Sequence, residues 1–410
     1  MNFYLKKYGF IEPQIKKSPS TNLGMIVVIP CFNEKFLLQS LQALKDCDSP
    51  QADVEVITVI NSGEQHPESI KIQNRKTFEE ASKWISEQSS DQKIRFHLIH
   101  LDQLPKKHAG VGLARKIGMD EAVARFDQLS HDGVIVCFDA DSACDKNYLT
   151  EIEKHFIAHP KTPGCAIHYE HPTKGDEFDR EVYEGIIHYE LHLRYYKEAM
   201  AICGLPYAFH TVGSSMAIRS SAYQKQGGMN KKKAGEDFYF LHKIIVLGNF
   251  TNLTSTKVIP SPRSSDRVPF GTGRAIEKWL EEEETELSTY AFESFLVIKE
   301  LVDQIPLLFE GRELQINPIL EQYLSENDLG KVLAECKKNS TDYRSFKKRF
   351  LVWFDAFRFL KVVHYLRDNL YPDQKISQEC SKLLKYLKIN GSKELSPLEY
   401  LQILRKFEKK

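Results

Sequence analysis

The chain has 410 residues, which at roughly 150 residues per domain predicts two or three domains. Lys plus Arg and Asp plus Glu number 56 each, and this zero net charge argues against a protein that coats nucleic acid or another polyanion. Hydrophobic residues at 42% and charged residues at 27% give the balance of a folded globular chain and exclude a disordered one.

The first third alternates strand and helix signals. Met25 to Ile29 is a β-branched run that Pro30 is expected to end. Asn33 is placed to cap a helix carrying Phe36, Leu37, Leu41 and Leu44. Val54 to Ile60 reads as a second buried strand, closed by Asn61, Ser62 and Gly63. Residues 74–89 read as a helix and Ile94 to His100 as a third strand. Val111, Ala114, Gly118, Ala122 and Phe126 form a helix face of mostly small residues, suited to close packing on a sheet. Val134 to Phe138 is a fourth strand, followed by Asp139, Ala140 and Asp141.

Short apolar runs separated by helices predict βαβ units, hence an α/β fold with a mostly parallel, Rossmann-like sheet flanked by helices. Such sheets bind ligands beyond the carboxyl ends of their strands. Three strand ends carry polar clusters: Cys31 to Glu34, Asn61 to Glu64, and Asp139 to Asp141. If the strands are neighbours, these clusters converge on one edge. From Lys257 to Arg274 the composition shifts to Ser, Pro, Arg and Gly. A glutamate run, Glu281 to Glu284, follows, and then a mainly helical region. The expected division is an N-terminal extension over 1–23, a catalytic domain over 24–274 and a helical domain over 275–410.

Two carboxylates at i and i+2 just past a buried strand can leave a sheet edge together, and hard divalent cations want oxygen ligands. The bland alternative for Asp139 and Asp141 is an ordinary acidic turn. Their context decides between the two. Pro-Cys-Phe-Asn-Glu after the first strand, Asn-Ser-Gly after the second, Gly-Val-Gly-Leu-Ala-Arg-Lys-Ile-Gly, Phe-Asp-Ala-Asp-Ser, Gly227-Gly228 and Gly235-Glu236-Asp237 occur in that order. In this order, over about residues 24–260, the chain resembles a family 2 glycosyltransferase with the A-type nucleotide-sugar fold.

The resemblance implies a metal-dependent transfer of a sugar from a nucleotide-diphosphate sugar, UDP-linked by preference, to an acceptor hydroxyl with inversion. The acceptor, whether glycan, lipid or small molecule, is left open. Pro30, Phe32, Asn33 and Glu34 would close over the base and ribose. Asn61 stands where the family usually has an aspartate that accepts from uracil; its amide oxygen still accepts, but base identity is put in question. Arg115 would steady the base pocket. Asp139 would bind the nucleotide sugar and, with Asp141, hold Mn²⁺ or Mg²⁺. Of Glu236 and Asp237, the aspartate would be the general base. Gly227-Gly228 would let the acceptor approach the backbone. The competing readings are a nucleotidyltransferase on a similar sheet, which lacks its glycine-rich loop here, and a non-catalytic scaffold in envelope or polysaccharide assembly.

Other signals stay open. Ser261 to Arg267 and Phe270 to Arg274 read either as an arginine-bearing flap over the diphosphate or as a linker; the Gly-Thr-Gly within it does not open a helix after a strand and so is not a dinucleotide fingerprint. His188 and His192, at i and i+4, read as packed or surface side chains. One of His168, His171, His210 and His242 is a candidate to complete a metal shell. Phe346, Phe350, Trp353, Phe357 and Leu360, widened by Phe354 and ringed by basic residues, read either as a core stripe or as an amphipathic helix on an anionic membrane. No run reaches the about 18 apolar residues of a spanning helix. Met1 to Lys17 shows no secretory signal. Eight cysteines without C-x-x-C spacing read as reduced thiols in a cytoplasmic protein, peripheral at the inner membrane face if the aromatic helix docks there, with no zinc site or disulfide framework.

Overall fold

The computed structural model describes residues 2–89, 93–265, 271–282, 285–389 and 395–409. The chain forms two compact units, one from residues 1–183 and 211–280, the other from residues 184–210 and 281–408.

In chain order the first unit runs α1 (Phe3–Tyr8), β1 (Leu23–Cys31), α2 (Leu37–Lys45), β2 (Asp53–Gly63), α3 (Glu68–Ser86), β3 (Ile94–Leu104), α4 (Val111–Gln128), β4 (Val134–Cys137), β5 (Ala143–Cys144), α5 (Tyr148–Ala158) and β6 (Gly164–Tyr169). After the long α6 (Arg180–Ile202) come β7 (Met216–Arg219), α7 (Ser220–Lys225), α8 (Glu236–Ile245), β8 (Thr251–Ile259) and α9 (Thr272–Glu281). The eight strands form one sheet in the order β3-β2-β1-β4-β7-β6-β8-β5. Strands β3, β2, β1 and β4 are mutually parallel, as is the β6–β8 pair; β7 and β5 run antiparallel to their neighbours. The α/β expectation therefore holds: a mostly parallel sheet flanked by helices, with a helical C-terminal region as the chain's other unit.

Pro30 does not end β1, which runs on to Cys31 beside β2. Strand β4 pairs with β1 only as far as Val28, so Pro30 lies past the ladder on that side, where a missing N–H is tolerated. Asn33 does not cap α2. It takes a left-handed conformation, its N–H donates to Asn74 Oδ1 at 2.9 Å, and the helix starts at Leu37 behind Phe36. Likewise β2 carries Asn61 to Gly63 within the strand, and β3 extends to Leu104 because Gly63 still pairs with it.

Helix α4 packs on β1 and β2 as its small residues predict: a Cβ on Gly118 would overlap Val28. Five of its six charged residues, all but Asp127, are buried too, each with a partner. Arg125 holds Glu55 through two guanidinium nitrogens, and its Nη1 donates to the Lys17 carbonyl at 3.0 Å. Glu121 accepts the N–H groups of Gln14 and Ile15, and Tyr4 donates to Asp120 at 2.7 Å. The first 23 residues are thus part of the first unit rather than an appendage to it.

The second unit takes α6 from residue 184 onward. To this it adds β9 (Ser288–Thr289), α10 (Phe292–Asp303), α11 (Ile305–Glu310), α12 (Pro318–Glu326), α13 (Leu329–Lys338), α14 (Tyr343–Trp353), α15 (Ala356–Asn369), β10 (Gln374–Lys375), α16 (Ile376–Tyr386) and α17 (Pro397–Phe407). Residues 184–210, expected in the catalytic domain, belong here, and the break falls at 280/281 rather than 274/275. The aromatic stripe is divided between α14 and α15, because Asp355 starts a new helix by accepting the Arg358 N–H. Phe346, Phe350, Phe354 and Phe359 have no exposed surface. Of the stripe, Phe346, Phe350 and Phe354 are thus core, whereas Trp353 and Leu360 are half-buried and Phe357 is 38% exposed. Glu283 and Glu284 of the glutamate run lie outside the described residues. No described helix is long and apolar enough to cross a membrane.

The Glu55–Arg125 pair yields a stability prediction. Both side chains are 1% exposed, so removing one strands the other's charge. Burial pushes the Glu55 carboxyl up, but hydrogen bonds from His97 and Arg125 outweigh it and hold the carboxyl below its usual 4.5. Arg125→Ala should cost about 3–5 kcal/mol in urea unfolding, whereas Glu55→Met with Arg125→Met should recover most of that loss.

Candidate active site

Because β1 lies between β2 and β4, the three polar strand ends meet on one edge of the sheet. On that edge Arg115, one turn into α4 and 1% exposed, joins the acidic turn after β4 to α8. Its Nη2 donates to Asp139 Oδ1 at 2.7 Å, and its Nη1 pairs with Glu236 Oε1. Burial alone would lower the guanidinium pKa, but Glu236 and Asp139 more than reverse this and raise it. The close approach of the chain at Gly213 requires glycine, since a Cβ there would lie 2.6 Å from Arg115 Nη1. The sequence reading put Arg115 at the base pocket; its two terminal nitrogens are instead committed to the acidic centre.

Glu236 and Asp237 open α8 just behind Gly235, as expected, and Gly235 supplies the left-handed turn at φ 65°. Glu236 is buried. Burial raises its carboxyl pKa to about 7; Arg115 opposes this rise and Asp237 adds to it. Asp237 is half-buried and its Oδ1 accepts the Phe238 N–H at 2.7 Å. Its carboxyl is also raised, first by burial and against the pull of Arg115.

The acidic turn is tied on its other side by Arg263. That guanidinium lies 2.7 Å from Asp141 Oδ2 and also forks onto both oxygens of Glu34. Glu34 is buried and accepts the Phe36 N–H at 2.9 Å as well. Arg263 belongs to the Ser261–Arg274 stretch that the sequence left between flap and linker; Asp266 to Phe270, with Arg267, lie outside the described residues. Beyond them α9 starts at Thr272, well separated from β8, which ends at Ile259.

Asn61 is 1% exposed, and neither its side-chain oxygen nor its nitrogen has a hydrogen-bond partner among the described residues. Its backbone carbonyl is held by Asn74 Nδ2 at 2.9 Å, and Asn74 Oδ1 receives Asn33, so α3 fixes both strand ends. Phe32 packs on His66 with centroids 4.7 Å apart, and His66 Nδ1 accepts the Gly63 N–H at 2.9 Å. Burial lowers the His66 pKa, which favours the neutral ring. Neither Asn74 nor His66 was singled out from sequence. The readable signal was only their position after β2, His66 in the turn ahead of α3 and Asn74 within that helix.

Other candidates are placed elsewhere. Gly228 does not open an acceptor path: a Cβ there would overlap the Tyr4 hydroxyl, so the glycine makes room for α1. His168 faces Glu170 at 3.0 Å. His171 stacks edge-on with Tyr169, and His242 lies on α8. In the second unit, His210 meets Glu408 at 2.8 Å. There too His188 Nδ1 lies 2.9 Å from the Glu184 carbonyl, and His192 Nδ1 2.8 Å from Thr289 Oγ1. Among the described residues, no three His, Cys, Asp or Glu side chains gather to hold a metal ion.

Comparison with known proteins finds similar solved structures. S. aureus TarS 1-349 in complex with UDP-GlcNAc is 13% identical, with 84% of this chain and 88% of that chain covered and a TM-score of 0.41. TarS 1-349 in complex with UDP is 14% identical, over 70% and 72%, with a TM-score of 0.40. The chain spans 60% of the length of another TarS 1-349 structure, at 15% identity with 58% of this chain covered and a TM-score of 0.39. It spans 37% of the longer TarS structure. No curated protein matches. The description "Glycosyl transferase family 2" matches residues 26–227, which hold β1 to β4, α4 with Arg115, and the Asp139–Asp141 turn. Over those residues the chain is similar to glycosyl transferase family 2.

Proposed function

We propose that the chain transfers a glycosyl group, with inversion, from a nucleoside-diphosphate sugar, uridine-linked by preference, to an acceptor hydroxyl. The observation that carries this reading is the buried Asn61 amide without a partner, on the same sheet edge as the paired acidic turn. A buried amide left without hydrogen bonds costs free energy, and a base that docks there removes the cost. The amide can accept from the uracil N3–H and donate to the adjacent carbonyl. An aspartate could only accept. Phe32 and His66 offer the aromatic surface beside it.

Asp139 and Asp141 suit a divalent cation by donor chemistry. Both are hard oxygen ligands, with side chains 39% and 26% exposed, and each is now charge-balanced by an arginine. With no third protein ligand grouped with them among the described residues, they would hold Mn²⁺ or Mg²⁺ as a site completed by phosphate oxygens and water. When bound, the ion supplies charge stabilisation for the departing diphosphate. Arg263 lies on the same turn as a fork donor for oxyanions.

An acceptor hydroxyl needs a base as it attacks the anomeric carbon. Asp237 is the better placed of the two acids, because Glu236 is buried and bound to Arg115 while Asp237 keeps part of its surface exposed. The proton passes to Asp237, and Arg115 limits repulsion among three neighbouring carboxylates.

Three outcomes test this reading. Asp141→Ala should abolish Mn²⁺-dependent UDP binding in a thermal-shift titration while the protein stays folded; an unchanged shift removes Asp141 from the metal site. In a competition assay UDP should bind best and GDP next, because the guanine edge offers the same N–H and carbonyl pair; GDP binding without UDP binding would overturn the uridine preference. Asp237→Asn should keep donor affinity and lose about 10²–10⁴-fold in transfer rate.

The pH dependence follows from the acidic pair. With Glu236 raised to about 7 beside Asp237, the pair releases a proton near neutrality, so the transfer rate should rise through about pH 7. Glu236→Gln should move that inflection to lower pH by removing a neighbouring negative charge. The stability sign is opposite. A folded-state pKa raised from 4.5 to about 7 gives stability that is complete below the lower value and is lost as pH climbs through the upper one.

A further inference from the structure

The geometry points to a covalent modification site: Cys47 and Cys144 join in an intramolecular disulfide when the chain meets a peroxide, stapling α2 to the acidic turn. Their sulfurs lie 3.6 Å apart, although 97 residues separate them in sequence. Cys47 follows the last turn of α2, the helix that begins just after Glu34. Cys144 is on β5, three residues past Asp141, and pairs with Val258 of β8. The same two segments are already tied by the Ser40 hydroxyl, which donates to the Ser142 carbonyl at 2.8 Å. Closing the sulfurs to the about 2.05 Å of a disulfide needs a movement of roughly 1.5 Å, within reach of two short side chains.

All eight cysteines are free thiols, and seven are buried; Cys144 alone is partly exposed. A small oxidant therefore reaches this pair first. Cys47 is the better thiolate, since hydrogen bonding from Cys144 lowers its pKa, while the same contact raises that of Cys144. The Cys47 thiolate attacks one oxygen of hydrogen peroxide; the O–O bond breaks, Cys47 becomes a sulfenic acid and hydroxide leaves. The Cys144 sulfur then attacks the Cys47 sulfur; the S–O bond breaks and water departs with the Cys144 proton. The first proton of Cys47 neutralises the hydroxide. In sum two thiols and one peroxide give one disulfide and two waters, with the sulfurs oxidised and the peroxide reduced.

The test uses the full chain, reduced and then treated with hydrogen peroxide, alongside Cys144→Ser, Cys47→Ser and Cys47→Ala. The expected result is the loss of two hydrogens by intact mass, a cross-linked peptide containing both residues, and two of the eight thiols protected from alkylation. The oxidised chain should melt roughly 5–10 °C higher and return on reduction, because the bond closes a long loop. No variant should show the cross-link or the shift. The proposal is overturned if Cys144 stays alkylatable, if Cys47 proceeds to a sulfinic acid, or if the bond forms without raising the melting temperature. None of these measurements depends on glycosyl transfer, so the outcome is independent of the proposed function.

Discussion

One buried guanidinium organises the candidate active face. Arg115 projects from α4, which lies against β1 and β2, and binds one carboxylate past the end of β4 and another at the start of α8. Without that cation, Asp139, Glu236 and Asp237 would be three negative charges in a partly dehydrated space, and at least one would take up a proton. With it, Asp139 and Glu236 stay close to one another on a shared cation. The rest of the site depends on this link: Gly213 must lack a side chain to pass the guanidinium, and Gly112 must lack one to let the Lys232 carbonyl and Glu236 approach α4.

A second arginine does the same work for the outer half. Arg263 neutralises Glu34 and Asp141 together, joining the end of β1 to the acidic turn from the far end of β8. The Pro30–Glu34 segment is thus held by charge on one side. On the other it is held by α3, where Thr77 donates to the Glu34 carbonyl at 2.6 Å and Asn74 receives Asn33. The acidic turn, the base-side segment and the helix behind them therefore form a single hydrogen-bonded system. A change in any one is felt at the other two.

Much of this was legible in the residues, for definite reasons. Parallel strands buried on both faces leave continuous apolar runs, and β1, β2 and β4 are such runs. Polar clusters immediately after them mark the carboxyl edge, which is why Asn61, Asp139 and Asp141 could be placed together. What failed to show were partnerships. Nothing in the spacing of Arg115, Asp139 and Glu236, or of Glu34, Asp141 and Arg263, says that they pair, because the chain between them closes through the sheet. The α14–α15 aromatics read as one stripe because helical periodicity survives a cap, and only Asp355 betrays the break. Residues 184–210 were assigned by position in the chain, but their buried charges fit the other unit. There Arg194 meets Glu190 at 2.8 Å and Arg405 of α17 meets the same glutamate at 2.7 Å.

The two units place their buried charges to different ends. In the second, Glu408 is surrounded by Arg194, His210 and Lys197, and although burial opposes it, these cations hold its carboxyl down to about 2. Such a group stays ionised across the physiological range and fixes α17 to α6 as a permanent tie. In the first, Glu236 sits against one arginine and two carboxylates and is held near 7. The number of cations per carboxylate decides the difference: a surplus locks the charge, and a deficit leaves it free to exchange a proton at working pH. A deficit is destabilising, as is an amide such as Asn61 buried without partners, and both stand on the edge where the sheet, by its topology, offers a ligand its place. Local rules are broken in a fold where binding or chemistry can compensate for them. The concentration of these two departures on one edge is what sets this candidate face apart from an acidic turn that only closes a loop.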